Sequence, residues 1–238
     1  MPLFQAPATP SELLAYLVTF QSYPTTLLVC CPREAFQEAL LHHVASALSL
    51  QTNPEEEGAH EAGDSAAQRH RRIVEALVSA PLYQTAVAKH IRVLFMPTVS
   101  HLRAYLSVFD PADTKIPAPL NYTPSHNESG IPLLLVYGFL DAHRDTSEWN
   151  ARGLSLSASI LVDAAHRASY KPVIIEPKGD DGHPDAETLL SEGVPLLGRN
   201  VANQGGWSGR MVEIRRILAR WFHFRDGALS EGTRLDQT

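Results

Sequence analysis

The chain has 238 residues, 44% of them hydrophobic and 19% charged, with a net charge of −6. That length and apolar content suffice for one sizeable core, and the acidic balance excludes a chain-wide basic field that would recruit nucleic acid. Its two cysteines, Cys30 and Cys31, are adjacent, which suits a reducing compartment better than a relaxed disulfide, and no apolar run nears the ~18 residues of a membrane span.

No basic segment precedes an apolar stretch at the N-terminus, so no secretory leader is expected. Residues 1–8 read as a loose arm. Thr9-Pro10-Ser11-Glu12 has capping-box spacing with Pro at the first helical position, and a helix with Leu13, Leu14, Leu17 and Val18 inward should run to about Phe20. Thr25 to Cys30, bounded by Pro24 and Pro32, predicts a buried strand. A helix follows, with Phe36, Ala39, Leu40, His43, Ala47 and Leu48 on one face. Residues 51–68 carry no large apolar side chain and read as a disordered acidic insertion. Helical spacing returns from Arg69 to Ala80, through Ile73, Ala76 and Leu77.

His90 to Met96 predicts a second strand, broken by Pro97. Thr98 or Ser100 can cap the next helix, which bears Val99, Leu102, Leu106 and Phe109. Four prolines between 110 and 130 predict a long loop. Ile131 to Tyr137 is the most apolar run and predicts a strand covered on both faces. A polar loop, Asp141 to Arg152, leads to a helix from Leu154 to about Tyr170, then a strand from Lys171 to Glu176. Pro177 to Gly193 is a Gly/Asp-rich loop with room for a turn of helix, and Val194 to Leu197 a short strand. Met211 to Leu218 and Arg220 to Arg225 alternate with period two and predict two strands at an antiparallel edge. The alternation of strands and helices indicates an α/β fold with a mainly parallel central sheet.

The stretch from Thr25 to Leu48 has the layout of a phosphate-binding strand, loop and helix without the residues that grip a phosphate. Laying G-x-x-x-x-G-K-[ST] on it puts Cys30 and Ala35 at the glycines, Phe36 at the lysine and Gln37 at the Ser/Thr, with Cys31, Pro32, Arg33 and Glu34 between. Glu34 adds negative charge where a triphosphate would lie. In LLLVY, Leu133 to Val136 is the apolar run and Tyr137 stands where a Mg²⁺-binding carboxylate would end it.

LLVCCPREAFQEALL, IRVLFMPTVSHLRAYL, PLLLVYGFLDA with its following Ala-rich helix, and the closing RWFHFRDG together resemble the RecA-like recombinase core with both nucleotide motifs lost. The match is closest to small Shu-complex-type paralogues, and next to the accessory ring of Elongator. The resemblance implies a RecA-like three-layer fold over 25–227, an N-terminal arm and helix over 1–24, and a disordered tail over 228–238. In that core a P-loop strand and helix come first, then a strand–helix pair, the acid-bearing strand, a long helix and strand, and edge strands. It implies no cofactor, a second RecA-like subunit and a recombinase as partners, and nuclear DNA repair. The Elongator alternative implies cytoplasmic work on tRNA.

Nucleic-acid candidates are Arg144, Trp149 and Arg152 in the loop after the acid-bearing strand, and the late cluster Arg199, Arg210, Arg215, Arg216 and Arg220. Read as a strand, that cluster is split between two faces, Arg215 opposite Arg216. The second loop expected to face DNA holds Asp180, Asp181, Asp185, Glu187 and Glu192 against Lys178, and would repel it. Phe4, Tyr16 and Trp207 are candidate partner anchors. The eleven histidines lack zinc-site spacing, and no G-x-S-x-G elbow occurs. A small-molecule α/β enzyme would need a pocket at the strand ends lined by Tyr137, Asp141 and His143.

Overall fold

The computed structural model describes residues 1–20, 23–52, 82–111, 132–179, 185–196 and 210–225. Six strands form one sheet: β1 (Leu3–Ala8), β2 (Thr25–Val29), β3 (Ile91–Phe95), β4 (Leu133–Tyr137), β5 (Lys171–Pro177) and, after a separate ribbon of β6 (Gly193–Pro195) and β7 (Met211–Glu213), β8 (His223–Arg225). The sheet order is β3-β2-β4-β5-β1-β8, and every pairing in it is parallel. The helices are α1 (Pro10–Phe20), α2 (Arg33–Thr52), α3 (Leu82–Ala88), α4 (Val99–Ser107), α5 (Phe139–His143), α6 (Ala151–Ala168), α7 (Ala186–Ser191) and α8 (Ile214–Leu218).

Parallel neighbours need long crossovers, and the helices that supply them cover both faces. On one face Leu13 and Leu17 of α1 and Phe36 of α2 pack on Leu27, Val29, Leu133, Leu135, Val173 and Ile175. On the other, Leu102 and Leu106 of α4, Leu154, Ala158 and Leu161 of α6, and Ile214 and Leu218 of α8 pack on Leu28, Leu134, Val136 and Ile174. Alternate residues of each strand thus serve opposite layers. The unbroken apolar runs read from the sequence are what this requires: all five residues of β2 and of β4 are buried. Each buried Leu contributes about 1.5–3 kcal/mol of transfer free energy. The result is an α/β sandwich consistent with a RecA-like three-layer fold.

Three expectations need correction. Residues 1–8 are not an arm: β1 lies inside the sheet between β5 and β8, so 1–24 is no separate unit. Pro2, Gln5 and Pro7 break up the apolar run that would have marked it. The sheet has no antiparallel edge, because β8 pairs parallel to β1, and antiparallel pairing occurs in the β6–β7 ribbon. Residues 211–218 are not one strand. Ile214, Ile217 and Leu218 are buried at helical spacing in α8, a stripe that Val212 and Ile214 disguise as alternation. The 51–68 insertion apart from Gln51 and Thr52, the 69–80 helix, most of the proline-rich loop and the 228–238 tail lie outside the described residues. No helix among the described residues is long and apolar enough to cross a membrane.

Candidate functional site

Ligands of open α/β sheets sit outside the carboxyl ends of the strands. Two such ends are candidates: Cys30–Gln37 follow β2 and open α2, and ahead of them in the chain β1 leads into α1 at Ala8–Ser11. A single residue, Thr9, joins β1 to α1. There are no glycines and no turn long enough to wrap a phosphate.

The start of α1 is also spent internally. Pro10 has no N–H. The Glu12 N–H is taken by Thr9 Oγ1 at 3.2 Å and the Leu13 N–H by the Thr9 carbonyl, while Thr9 N–H donates to Glu12 Oε2 at 2.9 Å. This is the capping box read from the sequence. Its reciprocal bonds use the donors that an anion would need. The other Glu12 oxygen accepts from Lys178 Nζ at 2.7 Å. Partial burial pushes the Glu12 carboxyl up, but the Lys178 and Thr9 bonds outweigh it and hold it below the ordinary carboxylate value. A carboxylate therefore already sits, bonded on both oxygens, at the start of α1.

Tyr137 closes the site from β4. Its hydroxyl donates to the Ala8 carbonyl at 2.9 Å, and its ring meets Phe36 edge-on at 5.9 Å. It therefore fills the space between both βα units. Burial, with Glu176, Cys31 and Asp141 nearby, pushes the phenol well up, so it remains a neutral donor. Gly138 follows at φ +77°, the left-handed region, and starts α5.

Beside it lies a residue that sequence reasoning missed. Glu176, next to last in β5, is fully buried and accepts the Leu140 N–H at 3.0 Å through Oε1, while Oε2 has no hydrogen-bond partner among the described residues. Burial first, and Asp141 second, raise its carboxyl well above the ordinary range. The signal was present: KPVIIE ends an apolar strand in a carboxylate. Burial and Glu176 likewise push the Cys30 thiol up, and burial with Asp141 takes Cys31 to about 11. Neither is a thiolate nucleophile at neutral pH.

Of the three residues expected to line an enzyme pocket, Tyr137 and His143 are buried and bonded internally. His143 is fully buried, with Nδ1–H donating to the Phe139 carbonyl at 2.7 Å and Nε2 accepting from Ser157 Oγ at 2.7 Å. Ser157 in turn accepts from Arg103 Nε at 2.8 Å, and Arg103 pairs with Glu148 at 2.7 Å. This chain ties α4, α5 and α6 together. Asp141 is exposed on α5.

The other candidates divide. In the second βα unit, Pro32, Arg33, Glu34, Ala35 and Gln37 are exposed, whereas Cys30 and Phe36 are buried. Phe4 is buried against Phe224 at 5.0 Å and offers no anchor, and Tyr16 is half-buried on the α1 side of the sheet. Trp149 is packed on the core and donates to Glu192 at 3.2 Å, so its ring is not presented for stacking. Arg144 is half-buried and Arg152 exposed. Arg215 turns to Glu187 at 3.0 Å and lies over the Phe224 ring at 5.0 Å. Arg210, Arg216 and Arg220 line one cleft. The split between Arg215 and its neighbours is therefore real, but its cause is the turn of α8. Arg199 and Trp207 lie outside the described residues.

No family model, curated protein or solved structure matches this chain.

Proposed function

We propose that this chain is a non-catalytic RecA-like subunit of a heteromeric complex that assists recombinase assembly on DNA in homologous-recombination repair. The observation that carries the reading is the Tyr137 hydroxyl bonded to the Ala8 carbonyl beside a helix start already occupied by Glu12. An α/β fold that fills a strand end with its own side chains suits a scaffold better than a motor. Exposed apolar residues support pairing with another chain. Leu41 and Val44 of α2 are exposed, and so is Val93 on β3, the sheet's edge strand. These replace Phe4 as the interface candidates.

The test has two arms. The isolated chain should show no saturable ATP binding by calorimetry, and a tagged copy should co-purify with a second RecA-like chain. ATP turnover abolished by substituting Thr9 or Tyr137 would overturn the reading. Co-purification with Elongator subunits would transfer the chain to tRNA modification.

A further inference from the structure

Ser155 of α6, Leu196 after β6, and Arg210, Met211, Arg216 and Arg220 are among the residues that line a cleft of about 440 Å³. Arg216 and Arg220 are four residues apart across α8 and the turns that continue it, so they share a side. Arg210 reaches the cleft from the start of β7, where its carbonyl accepts the Leu196 N–H at 3.1 Å. All three guanidiniums are exposed, and none has a carboxylate partner among the described residues. By contrast Arg103, Arg167 and Arg215 are each paired, at 2.7, 3.0 and 3.0 Å. The cleft's lining includes one carboxylate, Glu213.

Three like charges gathered against a single carboxylate, Glu213, leave a net positive cleft whose repulsion a bound polyanion relieves. The forked guanidinium matches phosphate oxygens two at a time. Leu196 and Met211 are exposed apolar residues in the same lining, a surface for a base or sugar. Charge repeated along a cleft with apolar patches fits a single strand, whose bases are free to meet those patches.

We infer that this cleft binds the phosphodiester backbone of single-stranded nucleic acid, with Arg210, Arg216 and Arg220 each taking a phosphate. The inference rests on the reading above in choosing nucleic acid over another phosphorylated ligand. Its geometry is independent of the nucleotide position.

The experiment titrates the full chain into fluorescein-labelled oligo(dT), and in parallel oligo(U), at several salt concentrations. Binding to either should weaken with salt. Changing Arg210, Arg216 and Arg220 together to Gln should lower affinity at least tenfold. It should also flatten the log–log salt slope by about 2, at roughly 0.7 per phosphate neutralised on a single strand. Arg33→Gln, on the α2 layer, should change nothing, and circular dichroism should show all variants folded. Wild-type binding that is absent or indifferent to salt, or a triple variant that binds equally well, overturns the inference. ATP binding and partner capture are read separately, so a failure here leaves the subunit proposal standing, and the reverse.

Discussion

Burial, with Asp141 nearby, holds the Glu176 carboxyl well above its ordinary range, and that sets a pH dependence of known sign. Its folded value is raised above the ordinary 4.5, so between 4.5 and the raised value the unfolded chain has released a proton that the folded chain retains. Stability from this residue therefore falls as pH rises through that window, by about 1.4 kcal/mol per pH unit. Glu176→Gln keeps the acceptor for the Leu140 N–H and removes the titration. Its advantage over wild type in denaturant melts should grow as pH rises above 5, and a constant gap would show that Glu176 is ionised in the fold. His143 acts in the opposite direction. Burial, reinforced by Arg103, lowers it from 6.5 to about 4, so its contribution is complete above 6.5 and is lost as pH falls towards 4. The loss is about 3 kcal/mol, and an imidazole NMR titration near 6.5 would contradict it.

At the scale of elements, local chemistry decided most boundaries. Asn150 caps α6, accepting the Gly153 N–H at 2.8 Å, and Asn150→Ala should cost about 1 kcal/mol in a thermal or denaturant melt. A methyl on Gly153 would run into the Glu148 carbonyl, so Gly153→Ala should cost more than the cap does. An unchanged midpoint in both variants would mean that this end of α6 is frayed. The Thr9–Glu12 box, the Thr98 cap and the apolar strands β2 and β4 were legible in the sequence because each is a short-range pattern. β1 and α8 were not. A short strand interrupted by prolines is recognisable only by its neighbours β5 and β8, and α8 is too short for its period to separate from alternation. The candidate site was legible as an absence of glycines and lysine, and Tyr137 was found at the acid position. The Ala8 carbonyl that Tyr137 bonds was not legible, because β1 reads as an arm in the sequence. Glu176 was missed because its burial depends on α5 folding over the strand end.

For the whole molecule, β1 is the test of how the chain is built. It pairs Leu3, Phe4 and Gln5 with both Val173–Ile175 and His223–Arg225, so it joins the late strands β5 and β8 one place in from the sheet's edge. Deleting residues 1–8 should unfold the chain, with loss of cooperative melting, whereas a dispensable arm would leave the midpoint unchanged. The same strand carries the Ala8 carbonyl that Tyr137 fastens. An energy-driven switch works by losing a bound group and letting two strand ends part. Here the bond between those ends is made by the chain's own Tyr137 and Ala8. On the proposed reading, in which the chain joins a complex without turning over nucleotide, no fuel sets a timer on its stay. Its residence there follows from how much of each partner is present and how fast the contact comes apart unaided.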